Sequence, residues 1–174
     1  MKKLTTICAA LMFCLGVSAH DFDPGDDLSA IFKISSSTAV KAEKVARQVR
    51  SAFNEKFAAA TDVSWKQNKE YYFASFQLSG KAFTVAYVDD GNFVAISRLL
   101  TLKQIPIATL QALEERFAGY AIPDKVTEIS MDGSTNYYLT VDSKTRTLLV
   151  KCCPNGTIDI LDKSKKKVLI GKAY

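Results

Sequence analysis

The chain has 174 residues, 48% of them apolar and 24% charged, which suits one folded domain or two small ones and is too apolar for a disordered chain. One histidine and four cysteines exclude a His-rich metal centre, a zinc ribbon with paired CxxC motifs and a disulfide-dense scaffold. The net charge of +5 is a property of the ends. Lys2 and Lys3 open the chain, and Lys163, Lys165, Lys166, Lys167 and Lys172 follow the last acid, Asp162. The body between His20 and Asp162 is slightly acidic, so the basic balance forms no face for nucleic acid.

Residues 1–19 read as a secretory signal peptide. Met1-Lys2-Lys3 carries the charge, Leu4 to Val17 is an uncharged apolar run, and Val17-Ser18-Ala19 supplies small residues for cleavage after Ala19. The run is shorter than the roughly 20 residues of a membrane span, so the mature form is expected to have none. Residues 20–38 follow as a flexible leader, with Asp21, Asp23, Asp26 and Asp27. These aspartates lack the alternating ligands and distal glutamate of a calcium loop. His20, the expected new N-terminus, has no second histidine to complete a copper site.

Ala39 to Phe57 has helical spacing: Ala42, Val45, Ala46, Val49, Phe53 and Phe57 share a stripe, and Ser37 or Thr38 can cap its start. The period then falls to two. Val63 and Trp65, then Tyr72, Ala74, Phe76 and Leu78, then Phe83, Val85 and Tyr87, then Phe93 to Leu100 predict four strands. Ser79-Gly80 and Asp90-Gly91 are the turn signals between them. A second helix follows Pro106 on Leu110, Leu113 and Phe117 and ends near Gly119. Strands are expected again at 125–131, 136–142, 145–153 and 157–161, with a turn at Asn155-Gly156.

The two series align at an offset of 65: Tyr72 with Tyr137, Phe76 with Val141, Val85 with Val150, Gly91 with Gly156. The expected fold is therefore α+β, an internal duplication of two tandem helix-plus-four-stranded antiparallel units, 39–101 and 102–162, followed by a basic tail, 163–174. With Tyr72, Ala74, Phe76, Tyr137, Leu139 and Val141 towards the helices, Tyr71, Phe73, Ala86, Val88, Tyr138 and Leu149 face away. Those outward positions either fill a core between the halves or form an exposed aromatic recognition surface. Trp65 fits either side.

The series Phe57, Val63-Ser64-Trp65, Tyr72-Phe73-Ala74-Ser75-Phe76, Ala86-Tyr87 and Gly91, continued by Ile105-Pro106, Tyr137, Val141 and Gly156, resembles the PepSY-like, β-lactamase-inhibitor-like proteins exported by Bacteroidetes. The resemblance spans about residues 40–162 and rests on structural positions. It implies two helix-plus-four-strand units and an exported binding module. The chain departs from it at Ala58 to Asp62, where that family often has a proline before the tryptophan strand.

Catalytic patterns are missing. A single histidine rules out Ser-His-Asp and Cys-His arrangements within the fold. Glu114-Glu115 and Asp89-Asp90 are sequence neighbours and diverge, whereas acid–base pairs converge. Cys152 and Cys153 are adjacent on a predicted strand, so one thiol is expected inside and the other outside, with no bridge between them. The sequence thus points to a periplasmic or secreted, noncatalytic module without cofactor or metal, engaging a protein or peptide of the cell envelope. The expected contact residues are Trp65, Tyr71, Phe73, Tyr138 and Leu149, and the contact is inhibitory if the resemblance extends that far. The alternative is a carrier or sensor holding a small apolar ligand between sheet and helices. If the outward aromatics form a recognition surface, Phe73→Ala with Tyr138→Ala leaves the melting temperature unchanged; if they are core, it lowers it.

Overall fold

A period-two apolar stripe in the strands from Thr61 onward gives the sheet one face to bury, and two short amphipathic helices cover that face. The computed structural model describes residues 37–165. The stretch read as a signal peptide, His20, nearly all of the expected leader and most of the basic tail lie outside that range. The strands are β1 (Thr38–Val40), β2 (Thr61–Gln67), β3 (Tyr72–Leu78), β4 (Lys81–Tyr87), β5 (Phe93–Thr101), β6 (Lys125–Met131), β7 (Ser134–Asp142), β8 (Arg146–Cys152) and β9 (Ile158–Lys165). The helices are α1 (Arg47–Lys56) and α2 (Ile107–Arg116), each preceded by a single 3-10 turn.

All nine strands form one antiparallel sheet in chain order, β1 to β9. This corrects the expectation of two tandem helix-plus-four-strand units. β5, taken as the end of the first, pairs with β6, taken as the start of the second, through six consecutive positions from Ile96↔Ser130 to Thr101↔Lys125. The fold is a sheet-dominated single layer of strands with two ten-residue helices.

The helix expected over 39–57 is corrected as well. Thr38 to Val40 pairs with Trp65 to Gln67 as an edge strand, and Thr38 Oγ1 donates to the Gln67 carbonyl at 3.4 Å instead of capping a helix. Lys41, Val45 and Ala46 keep extended ψ angles of 145°, 139° and 139°, so α1 begins only at Arg47. Neither α1, which follows Ala46, nor α2, which follows Pro106, has a side-chain cap. Packing therefore holds these helices in place more than their ends do.

Two apolar clusters fill the space between the helices and the sheet. Val49 and Phe53 of α1 meet Trp65, Ala74, Phe76, Val85 and Tyr87. Leu113 of α2 and the following Phe117 meet Leu100, Val126, Tyr137, Leu139, Val141, Leu148, Val150 and Cys152. Full burial of each large side chain contributes about 1.5–3 kcal/mol. Between the clusters, Arg98 of β5 donates to Glu128 of β6 from Nε at 2.5 Å and from Nη2 at 3.2 Å.

Two turns lean on the helices. Gly91 (φ 90°) places its Cα so close to α1 that an added Cβ would lie 2.9 Å from the backbone carbon and oxygen of Gln48. Gly156 (φ 88°) does the same to α2, 2.9 Å from the Ala108 oxygen. Gly80 has a positive φ of 72° but open space around it. Gly80→Ala is therefore expected to cost only the left-handed backbone penalty, about 1–2 kcal/mol. Gly91→Ala and Gly156→Ala add overpacking against a helix backbone, about 2–5 kcal/mol in all. Urea denaturation of the three variants checks this order, and equal losses would contradict it.

Candidate functional site

The sheet face opposite α1 and α2 is the candidate site. Strand alternation sends Phe73, Ser75 and Gln77 of β3 to it, with Ala86, Thr84 and Ala82 opposite them on β4. Ala95, Ser97 and Leu99 of β5 and Ile129 and Thr127 of β6 extend it. Tyr138 of β7, paired with Thr127 and Lys151, continues it towards β8.

This face has two chemically different zones. One is apolar: Phe73 and Ala86 pack with Tyr71 and Val94, and Val94 also packs against Ala95, Ile129 and Tyr138 beside Met131 and Leu161. The other is a hydroxyl row across four strands, Ser64, Ser75, Thr84 and Ser97, in direct cross-strand register. Ser75 and Thr84 share a hydrogen bond at 2.9 Å, and Ser97 Oγ donates to the Thr84 carbonyl at 3.4 Å. The row floors a depression of about 340 Å³ whose lining also includes Asp62, Gln77, Leu99 and Thr127. Leu99 is 59% exposed at its rim. Asp62 sits where the β2–β3 register shifts, with a positive φ of 53°.

The structure distributes the five expected contact residues unevenly. Trp65 belongs to the helix side, edge-on to Phe53 with ring centres 5.2 Å apart. Tyr71 and Phe73 lie together on the helix-free face, ring centres 6.2 Å apart. Tyr138 lies on the same face in the adjoining cluster. Leu149 is half-buried and paired with Thr140 and Asp162, outside both clusters. The expectation of an exposed aromatic surface is corrected, since Phe73 is 1% and Tyr138 5% exposed. Sequence reading missed the hydroxyl row. Its signal was Ser or Thr at the outward position of four successive strands, a pattern that also fits any wet sheet face.

The remaining polar groups among the described residues are dispersed over both faces of the sheet. The Arg98–Glu128 pair lies on the helix side, where burial, and then the Glu128 charge, holds the Tyr137 phenol above its usual range. Tyr87 is buried with no hydrogen-bond partner for its hydroxyl, and burial pushes its phenol up to about 12. Burial pushes the Cys152 thiol up to about 12 as well, while Cys153 is half-buried and its carbonyl accepts from Thr109 Oγ1 at 2.9 Å. Among the described residues no three His, Cys, Asp or Glu side chains group to hold a metal, and no helix is long and apolar enough to cross a membrane.

No protein-family model matches the sequence, and no curated protein is significantly similar to it. Solved structures share its fold. A DUF2874 family protein from Bacteroides ovatus superposes with a TM-score of 0.60 at 20% identity, over 72% of this chain and 92% of that one. A BLIP-like protein from Bacteroides fragilis gives 0.58 at 20% identity, over 74% and 92%. A protein from Bacteroides eggerthii, provisionally assigned to the periplasm, gives 0.59 at 21% identity, over 68% and 87%. The chain thus has the fold of the DUF2874 and BLIP-like structures of Bacteroides.

Three outcomes follow from burial. Phe73→Ala is expected to cost about 3–5 kcal/mol by denaturant unfolding, against no change if the ring were exposed. In the native protein iodoacetamide is expected to modify Cys153 and spare Cys152, read by peptide mass spectrometry. Stability is expected to fall as pH rises from about 9. There the unfolded Cys152 thiol, and above about 10 the unfolded Tyr87 phenol, lose protons that the folded groups keep to about 12. Each group contributes up to about 1.4 kcal/mol per pH unit in its window, and a Cys152→Ala, Tyr87→Phe variant is expected to have a shallower slope, the part due to Tyr137 remaining.

Proposed function

We propose that the protein is an exported, noncatalytic module that binds a protein or peptide partner of the cell envelope across its helix-free sheet face. The observation that carries this reading is the hydroxyl-floored depression between β2 and β6, rimmed by the exposed Leu99 and adjoining an apolar patch. Apolar anchors beside satisfied, small polar groups suit a protein interface, where a side chain of the partner drops into the depression and excludes water around it. Export is supported by the signal-peptide pattern of residues 1–19 and by the fold shared with a protein provisionally assigned to the periplasm.

The small-ligand alternative has less support. The space it needs between sheet and α1 is occupied by rings in close contact: Phe53 to Trp65 and to Phe76 at 5.2 Å, and Phe57 to Phe76 at 4.8 Å. Inhibition of a β-lactamase is an analogy from fold, since nothing in the depression selects such an enzyme. Lack of inhibition of a class A β-lactamase at micromolar concentration would remove it.

The test immobilises the exported chain and captures from an envelope extract of its host, with Leu99→Asp alongside. Leu99 is exposed, so this variant keeps its stability. The expected result is one protein retained by the wild type and weakened about tenfold or more by Leu99→Asp. Equal retention by both proteins would move the contact away from this face.

A further inference from the structure

We propose that the depression on the helix-free face receives a basic side chain of the partner, a lysine or an arginine, with Asp62 as its counter-charge. This assignment rests on the partner-contact reading of the depression and names the chemistry of what enters it.

The floor of the depression offers acceptors. Four hydroxyls make it, and three of their protons are spent within the sheet. Ser64 Oγ donates to the Ser75 carbonyl at 3.5 Å, and Ser97 Oγ donates to the Thr84 carbonyl at 3.4 Å. Ser75 Oγ and Thr84 Oγ1 share one bond at 2.9 Å, so one of their two protons lies between them. Each hydroxyl has a single proton but lone pairs to spare. With most of the protons turned into the sheet, the row meets the depression mainly with lone pairs. A carboxylate or a phosphate would bring more lone pairs against them. An ammonium or a guanidinium carries donors only, so its polarity is the complement of this floor. Gln77 and Thr127 also line the space and can accept as well as donate, so they accommodate the same cation.

Charge points the same way. The lining holds one carboxylate, Asp62, and no lysine. Among the described residues the Asp62 carboxylate has no ion-pair or hydrogen-bond partner. Arg98 also lines the depression, but Glu128 holds its guanidinium on the helix side. Lys66 and Lys125 share the helix-free face by alternation yet stay outside the lining. Asp62 lies in the bulge where β2 slips against β3, between Thr61↔Gln77 and Ser64↔Ser75. A bulge takes a side chain out of regular alternation and re-aims it. Here it sets a carboxylate at the end of the hydroxyl row.

The row therefore runs from an anion on β2 to the exposed Leu99 on β5, three strands or about 14 Å away. A basic side chain has the same order, an apolar stem and a charged tip. The tip lies at the Asp62 end, while Ala82 and Leu99 meet the stem and the adjoining surface of the partner. The space of about 340 Å³ is at the small end of ligand sites, about 300–1,000 Å³, and suits one side chain.

An NMR titration of the isotopically labelled exported chain tests this. The probes are blocked alanine tripeptides with lysine, arginine, norleucine or glutamate at the centre. The lysine and arginine peptides are expected to shift the amides of Ser64, Ser75 and Thr84 and the methyls of Leu99. The norleucine and glutamate peptides are expected to leave them in place at the same concentration. Asp62→Asn is expected to weaken the basic peptides about threefold to tenfold. Asparagine tolerates the left-handed backbone of position 62, and unchanged resonances elsewhere show that the variant is folded. A preference between the two basic peptides says which side chain the site takes. Shifts of equal size with glutamate or norleucine would overturn the proposal, as would no shift with either basic peptide, shifts centred away from the depression, or equal binding by Asp62→Asn. A captured protein that Leu99→Asp releases, with no response to the basic peptides, would leave the partner-contact reading standing and remove this one.

Discussion

The pairing of β5 with β6 is the constraint on which the molecule depends. Six consecutive positions, Ile96 to Thr101 against Ser130 to Lys125, merge the strands beneath α1 with those beneath α2. Without that ladder, Ala95, Ile129 and Tyr138 would not adjoin, because they come from three successive strands that straddle it. The same pairing brings Arg98 to Glu128 on the other face, in the gap between the two helix-side clusters. A two-pronged guanidinium–carboxylate contact suits that position, because both groups keep some access to water.

The two faces are therefore different materials. The helix side is a conventional core, with Phe53 set edge-on to both Trp65 and Phe76, and Leu113 fully buried. The opposite face sets a few large side chains, Phe73, Ile129 and Tyr138, among smaller groups: alanines at 86 and 95, and hydroxyls at 64, 75, 84 and 97. The small residues of the hydroxyl row keep the sheet surface low there, and the depression forms over them. The hydroxyls satisfy one another and nearby carbonyls, so this zone tolerates being either wet or covered.

Much of this was legible in the chain. Period-two alternation located the eight longer strands, and Pro106 with Leu110, Leu113 and Phe117 located α2. The sidedness of Phe73 and Tyr138 followed from the same alternation. Three things were not legible. The stretch 39–57 has helical spacing throughout, but Val40 finds a sheet edge at Trp65, and strand pairing outcompetes a helix end that has no cap. Nothing in Phe93–Thr101 or Lys125–Met131 states that they pair, since alternation specifies a face and not a neighbour. Exposure could not be read either. An outward aromatic looks the same in sequence whether water or another segment lies over it, and Trp65 looked equally suited to both sides.

The strand order has a kinetic corollary. Each strand hydrogen-bonds to its neighbour in the chain, and six of the eight pairings close across a turn of a few residues. Such contacts form early because little chain entropy is lost in making them. The other two closures, β1 on β2 and β5 on β6, must wait for an intervening stretch that carries a helix. β1 adds only three paired positions at an edge, so it is a late and minor event. β5 on β6 is the decisive one. Before it forms, the chain holds two short meanders with open edges, each exposing the strand that an intermolecular partner would also accept. Once it forms, both edges are sealed in a single step. The window in which this protein is prone to misassemble is thus set by how fast the segment 102–124, carrying α2, brings one ladder to the other.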